Sequence, residues 1–241
     1  MIESEVVDRA RFEIKFGEYS VGPATALSDA SALTAAQDYR RGTASRMVPV
    51  GKEDLSLKVP NAEYHASRKV DGEFTVLNWL GGEAFTINPG VTVRIGLPWL
   101  QEAKAIFEQA GIKSARIAGE LFVHHDTRRP RVHDVTKIAR GPKSEVDLQR
   151  IRFAPFDIIE IDGEGPSENF ASTFQTLESL FAKSEKLQPV ETRIVKDRES
   201  VKSLFRSWVE EENAEGIVLR ARHPEGVRRS AGAIDPRLAD D

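Results

Sequence analysis

Residues 151–162 read IRFAPFDIIEID, a run of β-branched and aromatic residues that predicts a long strand. The Asp162-Gly163 pair that follows is a turn sequence, so we expect the strand to end there. Similar segments recur along the chain, with Asp-Gly, Gly-Gly and Pro-Gly pairs between several of them. The further predicted strands are the alternating segments 12–16 and 91–95 and the apolar runs 74–80, 115–123, 190–195 and 216–221.

Helices are predicted between these strands. Apolar residues at helical spacing, or an Ala-rich composition in the first case, predict helices over 24–41, 99–110, 172–183 and 199–212. Gly111 is a C-terminal stop, and Ser172 is a good N-cap residue. Because the strands come in runs rather than in strict alternation with helices, the expected fold class is α+β, with mostly antiparallel sheets flanked by helices.

The length of 241 residues allows one large domain or two small lobes. We expect residues 1–221 to form the folded domain. Residues 222–241 have no hydrophobic periodicity, so they are expected to form an irregular C-terminal tail.

Composition excludes several classes of protein. The chain has no cysteine, which excludes disulfide scaffolds, Cys-ligated zinc, iron–sulfur clusters and thiol nucleophiles. It also has no apolar run long enough to span a membrane and no apolar segment of the secretory type near its start. Together with the absence of cysteine, this predicts a cytoplasmic protein without membrane contact.

Charge is distributed unevenly. The whole chain has a net charge of −4, but residues 116–152 hold nine Lys and Arg against five Asp and Glu. This basic segment would suit a polyanion bound on one face, and a solvated loop of mixed charge is the alternative.

Four short segments place a reactive or aromatic residue beside a predicted strand: KVDG (69–72), GELF (119–122), FDIIEIDG (156–163) and EGIVLR (215–220). Each has an ordinary structural explanation: a hairpin turn, a solvent-facing strand residue, a core residue and a helix end, respectively. Together they supply what covalent nucleotide transfer needs. A lysine can attack an α-phosphate, carboxylates can bind ribose and Mg²⁺, and an aromatic face can stack on a base.

In this order, the four segments resemble the motifs of the covalent nucleotidyltransferase superfamily, which includes ATP-dependent DNA ligases, RNA ligases and mRNA capping enzymes. The resemblance covers about residues 60–220, and FDIIEIDG is most similar to the version found in ATP-dependent DNA ligases. It implies a nucleotidyltransferase (ATP-grasp-like) adenylylation domain. The implied enzyme is an ATP-dependent DNA ligase that forms a lysyl-AMP intermediate to seal strand breaks in DNA repair, replication or recombination.

The resemblance also implies roles for individual residues. Lys69 would be the nucleophile, Glu120 would bind the ribose, and Phe156 would stack on adenine. Glu215 would bind the metal, and Arg94 would contact a phosphate. Asp71 and Gly72 would shape the lysine turn. ATP and Mg²⁺ would be the cofactors, and a monomer would act on nicked duplex DNA or on RNA ends.

The chain departs from the family pattern at three places. Phe74 stands where many members carry arginine, and Ser67 stands where many DNA ligases carry glutamate. The segment after EGIVLR contains arginines but no lysine pair, and it is too short for an OB-fold, so no OB-fold domain is expected. These departures leave both self-adenylylation and strand sealing open.

Three alternatives therefore stand beside the DNA ligase. The chain could be an RNA ligase, a capping guanylyltransferase, or a catalytically impaired domain that binds nucleotide or nucleic acid through residues 116–152. An NAD⁺-dependent ligase is disfavoured because such enzymes carry a Cys-ligated zinc region.

Overall fold

The computed structural model describes residues 5–43, 47–167 and 169–222, together with the backbone of residues 232–234. These residues form two compact units. Unit 1 comprises Met1–Arg40 and Asp71–Pro189, and unit 2 comprises Arg41–Val70 and Val190–Asp241.

The described strands, in chain order, are β1 (Glu13–Phe16), β2 (Tyr19–Pro23), β3 (Val48–Val50), β4 (Tyr64–Lys69), β5 (Glu73–Leu80), β6 (Glu83–Ile87), β7 (Thr92–Ile95), β8 (Ala115–Val123), β9 (Ile151–Ile161), β10 (Thr192–Val195), β11 (Gly216–Ala221) and β12 (Gly232–Ile234). The described α-helices are α1 (Ser31–Gly42), α2 (Leu55–Lys58), α3 (Pro98–Ala110), α4 (Val132–Arg140), α5 (Glu145–Gln149), α6 (Phe170–Leu180) and α7 (Arg198–Phe205). None of these helices combines the length and the apolar composition that crossing a membrane requires.

Unit 1 is built on a seven-stranded antiparallel sheet with the order β1-β2-β7-β6-β5-β8-β9. One face of β5 contributes Val76 to a core cluster that also contains Ala36 of α1. Trp79 points to the opposite face, because side chains alternate along a strand. On that face Trp79 stacks on Phe107 of α3, with ring centroids 5.9 Å apart.

Unit 2 contains a five-stranded sheet with the order β10-β4-β11-β12-β3. One face packs in a core that includes Ala66 of β4, Ile217 of β11, Phe205 of α7 and Trp208. Trp208 lies in a π-helical segment, Arg206–Glu211, that continues from α7. Because alternate β4 residues build this core, the intervening residues point to the opposite face of the sheet.

The predicted fold class is confirmed, since both sheets are mostly antiparallel and helices accompany them. The helix predicted over 99–110 is confirmed as α3, which ends at Gly111 in the left-handed conformation. The strand predicted over 190–195 is shorter and covers only β10.

Three helix predictions are wrong in their limits. The first begins at Ser31, because residues 24–26 form a separate 3₁₀ turn. The second begins before Ser172, because the Asn169 side chain accepts a hydrogen bond from the Ala171 N–H and takes the N-cap position. The third is α-helical only to Phe205 and then becomes π-helical.

Strand β12 lies within the predicted C-terminal tail. It pairs with β11 and with β3. The rest of the tail beyond residue 222 lies outside the described residues, so the predicted boundary at residue 221 stays a prediction.

The packing of Gly119 in β8 gives a test of this fold. A Cβ atom added there would lie 2.4 Å from Phe153 Cζ and 2.7 Å from the carbonyl oxygen of Ala154. We expect Gly119→Ala to lower the free energy of unfolding by about 1–3 kcal/mol, since an overpacked site must shift its neighbours. Urea unfolding measures the change. Gly141→Ala is the control, because nothing lies within 4 Å of its added Cβ and a small effect is expected.

Candidate functional site

Two predicted site residues meet in unit 2. Lys69 is the last residue of β4 and lies opposite Gly216, the first residue of β11. Glu215 directly precedes that strand, and its Oε1 accepts a hydrogen bond from the Lys69 Nζ. The side chain of Glu215 is 5% exposed and that of Lys69 is 29% exposed. A buried carboxylate needs a charged partner, and here the partner is the predicted nucleophile.

The alternation of β4 determines which side of the sheet presents Lys69. Ala66 points into the core, so Ser67 and Lys69 point to the opposite face. Ser67 Oγ lies 2.9 Å from Thr192 Oγ1 of β10 and makes a hydrogen bond with it. The lysine is therefore carried by a strand that is paired on both sides, by β10 and by β11.

Asp71 and Gly72 lie in unit 1, where the chain enters β5. The Asp71 Oδ1 accepts a hydrogen bond of 3.2 Å from the Val132 N–H at the start of α4, and its Oδ2 lies 3.6 Å from an Arg131 nitrogen. A Cβ atom at Gly72 would lie 2.5 Å from the carbonyl oxygen of Leu121. The glycine thus allows a close approach to β8, and the aspartate ties this segment to α4.

Glu120 and Phe156 also lie in unit 1. Glu120 of β8 is directly opposite Phe74 of β5, so their side chains share a face of the sheet. Gly119 of β8 pairs with Pro155 of β9, and Ala118 of β8 pairs with Asp157 of β9. Phe156 lies between these two partners and is therefore the extra residue of a β-bulge. A bulge redirects a side chain, and such bulges are frequent beside functional sites.

Phe156 belongs to a cluster of three half-buried aromatic rings. The Tyr39 and Phe74 rings are stacked, with centroids 5.7 Å apart, and each lies 6.2 Å from the Phe156 ring. The Tyr39 hydroxyl donates a hydrogen bond of 2.6 Å to Asp157 Oδ2. Sequence reasoning missed Tyr39 and Asp157 as neighbours of the site. The sequence carried a signal only for the β-bulge, namely Pro155, because a proline inside a strand is typical of a bulge.

Arg94 is buried in unit 1 and pairs with a carboxylate. Its two terminal nitrogens donate hydrogen bonds of 2.6 and 2.9 Å to the two oxygens of Glu73, the residue after Gly72. Asn88 donates a further hydrogen bond of 2.9 Å to Glu73. The predicted phosphate contact of Arg94 is not tested by this geometry, and it would require the guanidinium to share its hydrogen bonds with Glu73.

Within the basic segment 116–152, several groups converge on the buried carboxylate of Asp134. Arg128 donates two hydrogen bonds to it, of 2.7 and 2.8 Å, and the His125 Nε2 lies 3.1 Å away. The Arg128 guanidinium holds the pKa of Asp134 well below its usual range. In the described part of the chain, no three His, Asp or Glu side chains are grouped so that they could hold a metal ion.

This arrangement predicts how stability depends on pH. Because the native pKa of Asp134 is lowered, its stabilising contribution is present above about pH 4 and is lost as the pH falls toward the native pKa. We expect Asp134→Asn to lower stability at pH 7 and to make the loss of stability below pH 4 less steep. Urea unfolding at several pH values measures both effects. Asp126→Asn is the control, because that side chain is 94% exposed, and it should reproduce the original profile.

Comparisons with known proteins agree with this picture. A family model described as an ATP-dependent DNA ligase domain matches residues 51–227, which is more than half of the chain. No curated protein sequence matches the chain.

Solved structures show the same fold. The ligase domain of LigD from M. tuberculosis is 18% identical, with a TM-score of 0.51, and the match covers 78% of this chain and 58% of that one. A mycobacterial DNA ligase D complexed with ATP and MES is 16% identical, with a TM-score of 0.51, and the match covers 78% of this chain and 60% of that one. The chain thus spans about three fifths of these two relatives.

Proposed function

The chain belongs to the family of ATP-dependent DNA ligase domains, and from that membership we propose that Lys69 is the residue to which AMP becomes covalently attached. The observation that carries this proposal is the contact between Lys69 and the buried Glu215 at the adjoining ends of β4 and β11. This contact supports the proposal because it joins the lysine of KVDG and the acid of EGIVLR, to which the family resemblance assigns roles in one reaction.

The proposed reaction forms one bond and breaks one. The Lys69 Nζ attacks the α-phosphorus of ATP, the bond between that phosphorus and the bridging oxygen to the β-phosphate breaks, and pyrophosphate leaves. The amine must lose one proton to solvent before it attacks, since a free lysine with a pKa of about 10.4 is protonated at neutral pH. The nitrogen releases a second proton to solvent as the bond to phosphorus forms. Glu215 contacts this amine, so we propose that it orients Nζ toward the nucleotide.

The carboxylate of Glu215 is a suitable ligand for Mg²⁺. Glu215 offers a single buried carboxylate, and Mg²⁺ is usually held by one or two carboxylates together with substrate phosphates. When bound, the ion would neutralise charge on the phosphates. Glu215 is the residue that we propose to hold it.

Residues of unit 1 support the proposed recognition of the nucleoside. We propose that Glu120 accepts a hydrogen bond from the ribose and that Phe156 stacks on adenine. The bulge at Phe156 and its clustering with Tyr39 and Phe74 support the second role, because a purine binds to an aromatic surface through stacking. Asp71 and Gly72 hold the start of β5 against α4 and β8.

The steps after attachment of AMP to Lys69 are inferred from the family to which the chain belongs. We propose that AMP passes from Lys69 to a 5′-phosphate at a nick in duplex DNA, and that a 3′-hydroxyl then displaces AMP and seals the strand. Such an activity would serve DNA repair, replication or recombination, and the lack of cysteine is compatible with the cytoplasm. The basic segment 116–152 would contact phosphates of the duplex.

Covalent labelling tests the role of Lys69. Incubation with α-labelled ATP and Mg²⁺ should attach AMP to the protein, and Lys69→Ala should abolish the label because no amine remains at that position. Lys58→Ala is the control, since Lys58 is an exposed lysine of the same unit that pairs with Asp54, and the label should persist. A label that survives Lys69→Ala would remove Lys69 from this role. Labelling by GTP instead of ATP would favour the capping enzyme.

Substitution of Phe156 tests base recognition. We expect Phe156→Ala to raise the ATP concentration for half-maximal labelling by about 10-fold, since the loss of an aromatic stack costs about 0.5–1.5 kcal/mol in addition to lost contact area. Phe156→Tyr preserves the ring and should remain near the original value. Equal ATP dependence in all three proteins would contradict the stacking role.

A further inference from the structure

Arg68, the residue before Lys69, points to the other face of β4. Its guanidinium donates a hydrogen bond of 3.3 Å to Glu191 and a second one to Glu212. It also lies over the Trp208 ring, with its Cζ 5.7 Å from the ring centroid. Neighbouring residues of one strand thus make separate ion pairs on opposite faces of the sheet, Arg68 on the core side and Lys69 on the other.

The residues that Arg68 contacts also hold the segment that leads to Glu215. The Ala214 N–H donates a hydrogen bond of 2.7 Å to the carbonyl oxygen of Trp208, whose side chain is fully buried. The Glu212 N–H donates one of 3.0 Å to the carbonyl oxygen of Ser207. The π-helical segment and the turn after it are therefore joined at two points just before Glu215.

The turn itself has a constrained backbone. Asn213, between Glu212 and Ala214, has a φ of 59°, in the left-handed region that asparagine tolerates better than most residues. The Glu212 side chain accepts a hydrogen bond of 3.2 Å from the Ser207 hydroxyl in addition to that from Arg68. The hydrogen bond from the Arg68 guanidinium holds the pKa of Glu212 below its usual range.

We propose that Arg68 is a positioning residue: together with Glu212 and Trp208 it forms a clamp that fixes the end of β4 against the turn before Glu215, and so aligns Lys69 with Glu215. The proposal rests on the proposed role of Lys69 as the nucleophile. An attacking amine must be aligned with the phosphorus, and a displacement of about 1 Å can cost about 100-fold in rate. A charge-assisted hydrogen bond and a cation–π contact are suited to hold such an alignment.

The clamp contributes to alignment more than to folding. The hydrophobic core of unit 2 consists of apolar residues that pack without Arg68. The Arg68 and Glu212 side chains are 27% and 48% exposed, and ion pairs with this exposure contribute little to stability. A substitution at Arg68 should therefore change the rate of the reaction while the unit remains folded.

Single-turnover adenylylation of the full chain tests the clamp. Arg68→Met keeps the apolar stem and removes the charge, and Glu212→Gln removes the partner charge. We expect each to lower the rate at saturating ATP by about 10- to 100-fold with little change in the half-saturating ATP concentration. The double variant should be no slower than the slower single variant, because both remove the same interaction. Arg68→Lys should recover part of the rate.

Arg222→Met is the matched control. Arg222 pairs with Glu63 beside the opposite end of β4, with 3.2 Å between the charged atoms, and its substitution should leave the rate unchanged. Rates in Arg68→Met and Glu212→Gln equal to that of the control would overturn the proposal. So would a fall in rate that matches only a loss of folded protein, measured by thermal unfolding.

A second measurement is independent of catalysis. In ¹⁵N-lysine NMR spectra, the Lys69 ammonium signal, assigned by its absence in Lys69→Arg, should be sharp and slow to exchange because of its contact with Glu215. We expect it to broaden or vanish in Arg68→Met and to persist in Arg222→Met. A signal that persists in Arg68→Met contradicts the clamp. If the unmodified chain takes up no AMP, the proposed function fails, and this spectrum still decides the clamp.

Discussion

The contact between Lys69 and Glu215 depends on a constraint of strand geometry. Lys69 is the last residue of β4 and Glu215 directly precedes β11, and the antiparallel register places Lys69 opposite Gly216, next to Glu215. A shift of the register by one residue would turn Lys69 toward the core face and leave Glu215 buried without its lysine. The apolar residues of the core face, among them Ala66 and Ile217, oppose such a shift because their burial requires the same register.

The same alternation gives β4 two functions. Its core-facing residues stabilise unit 2, and its other face presents Lys69, the proposed nucleophile. Arg68 lies between these two functions, because it contacts Trp208 of the core and Glu212 in the turn that leads to Glu215. In unit 2, the proposed nucleophile and the residues that pack the core therefore lie next to each other in one strand.

Much of the fold and many of the candidate site residues could be predicted from the sequence. The features that could not be predicted were missed for physical reasons. The fold class and the family followed from strand patterns and from four ordered motifs. Helix limits were less certain: Asn169 and Ser172 are both good caps, and only tertiary packing chooses between them. The short helices α4 and α5 were not predicted, since α5 has five residues and α4 begins within a highly charged segment. Tyr39 and Arg68 belong to no motif, so only the structure associates Tyr39 with Phe156 in unit 1 and Arg68 with the turn before Glu215 in unit 2.

Phe74 shows how a departure from a family motif should be interpreted. Many family members carry arginine at this position, so the sequence alone leaves the activity of this chain open. In the structure, Phe74 stacks on Tyr39, lies beside Phe156 and is directly opposite Glu120. An arginine there would leave only the Tyr39 and Phe156 rings, whereas phenylalanine supplies the third ring and extends the aromatic surface. Phe74 therefore packs with its neighbours and belongs to the same aromatic cluster as Phe156, the residue proposed to stack on the base.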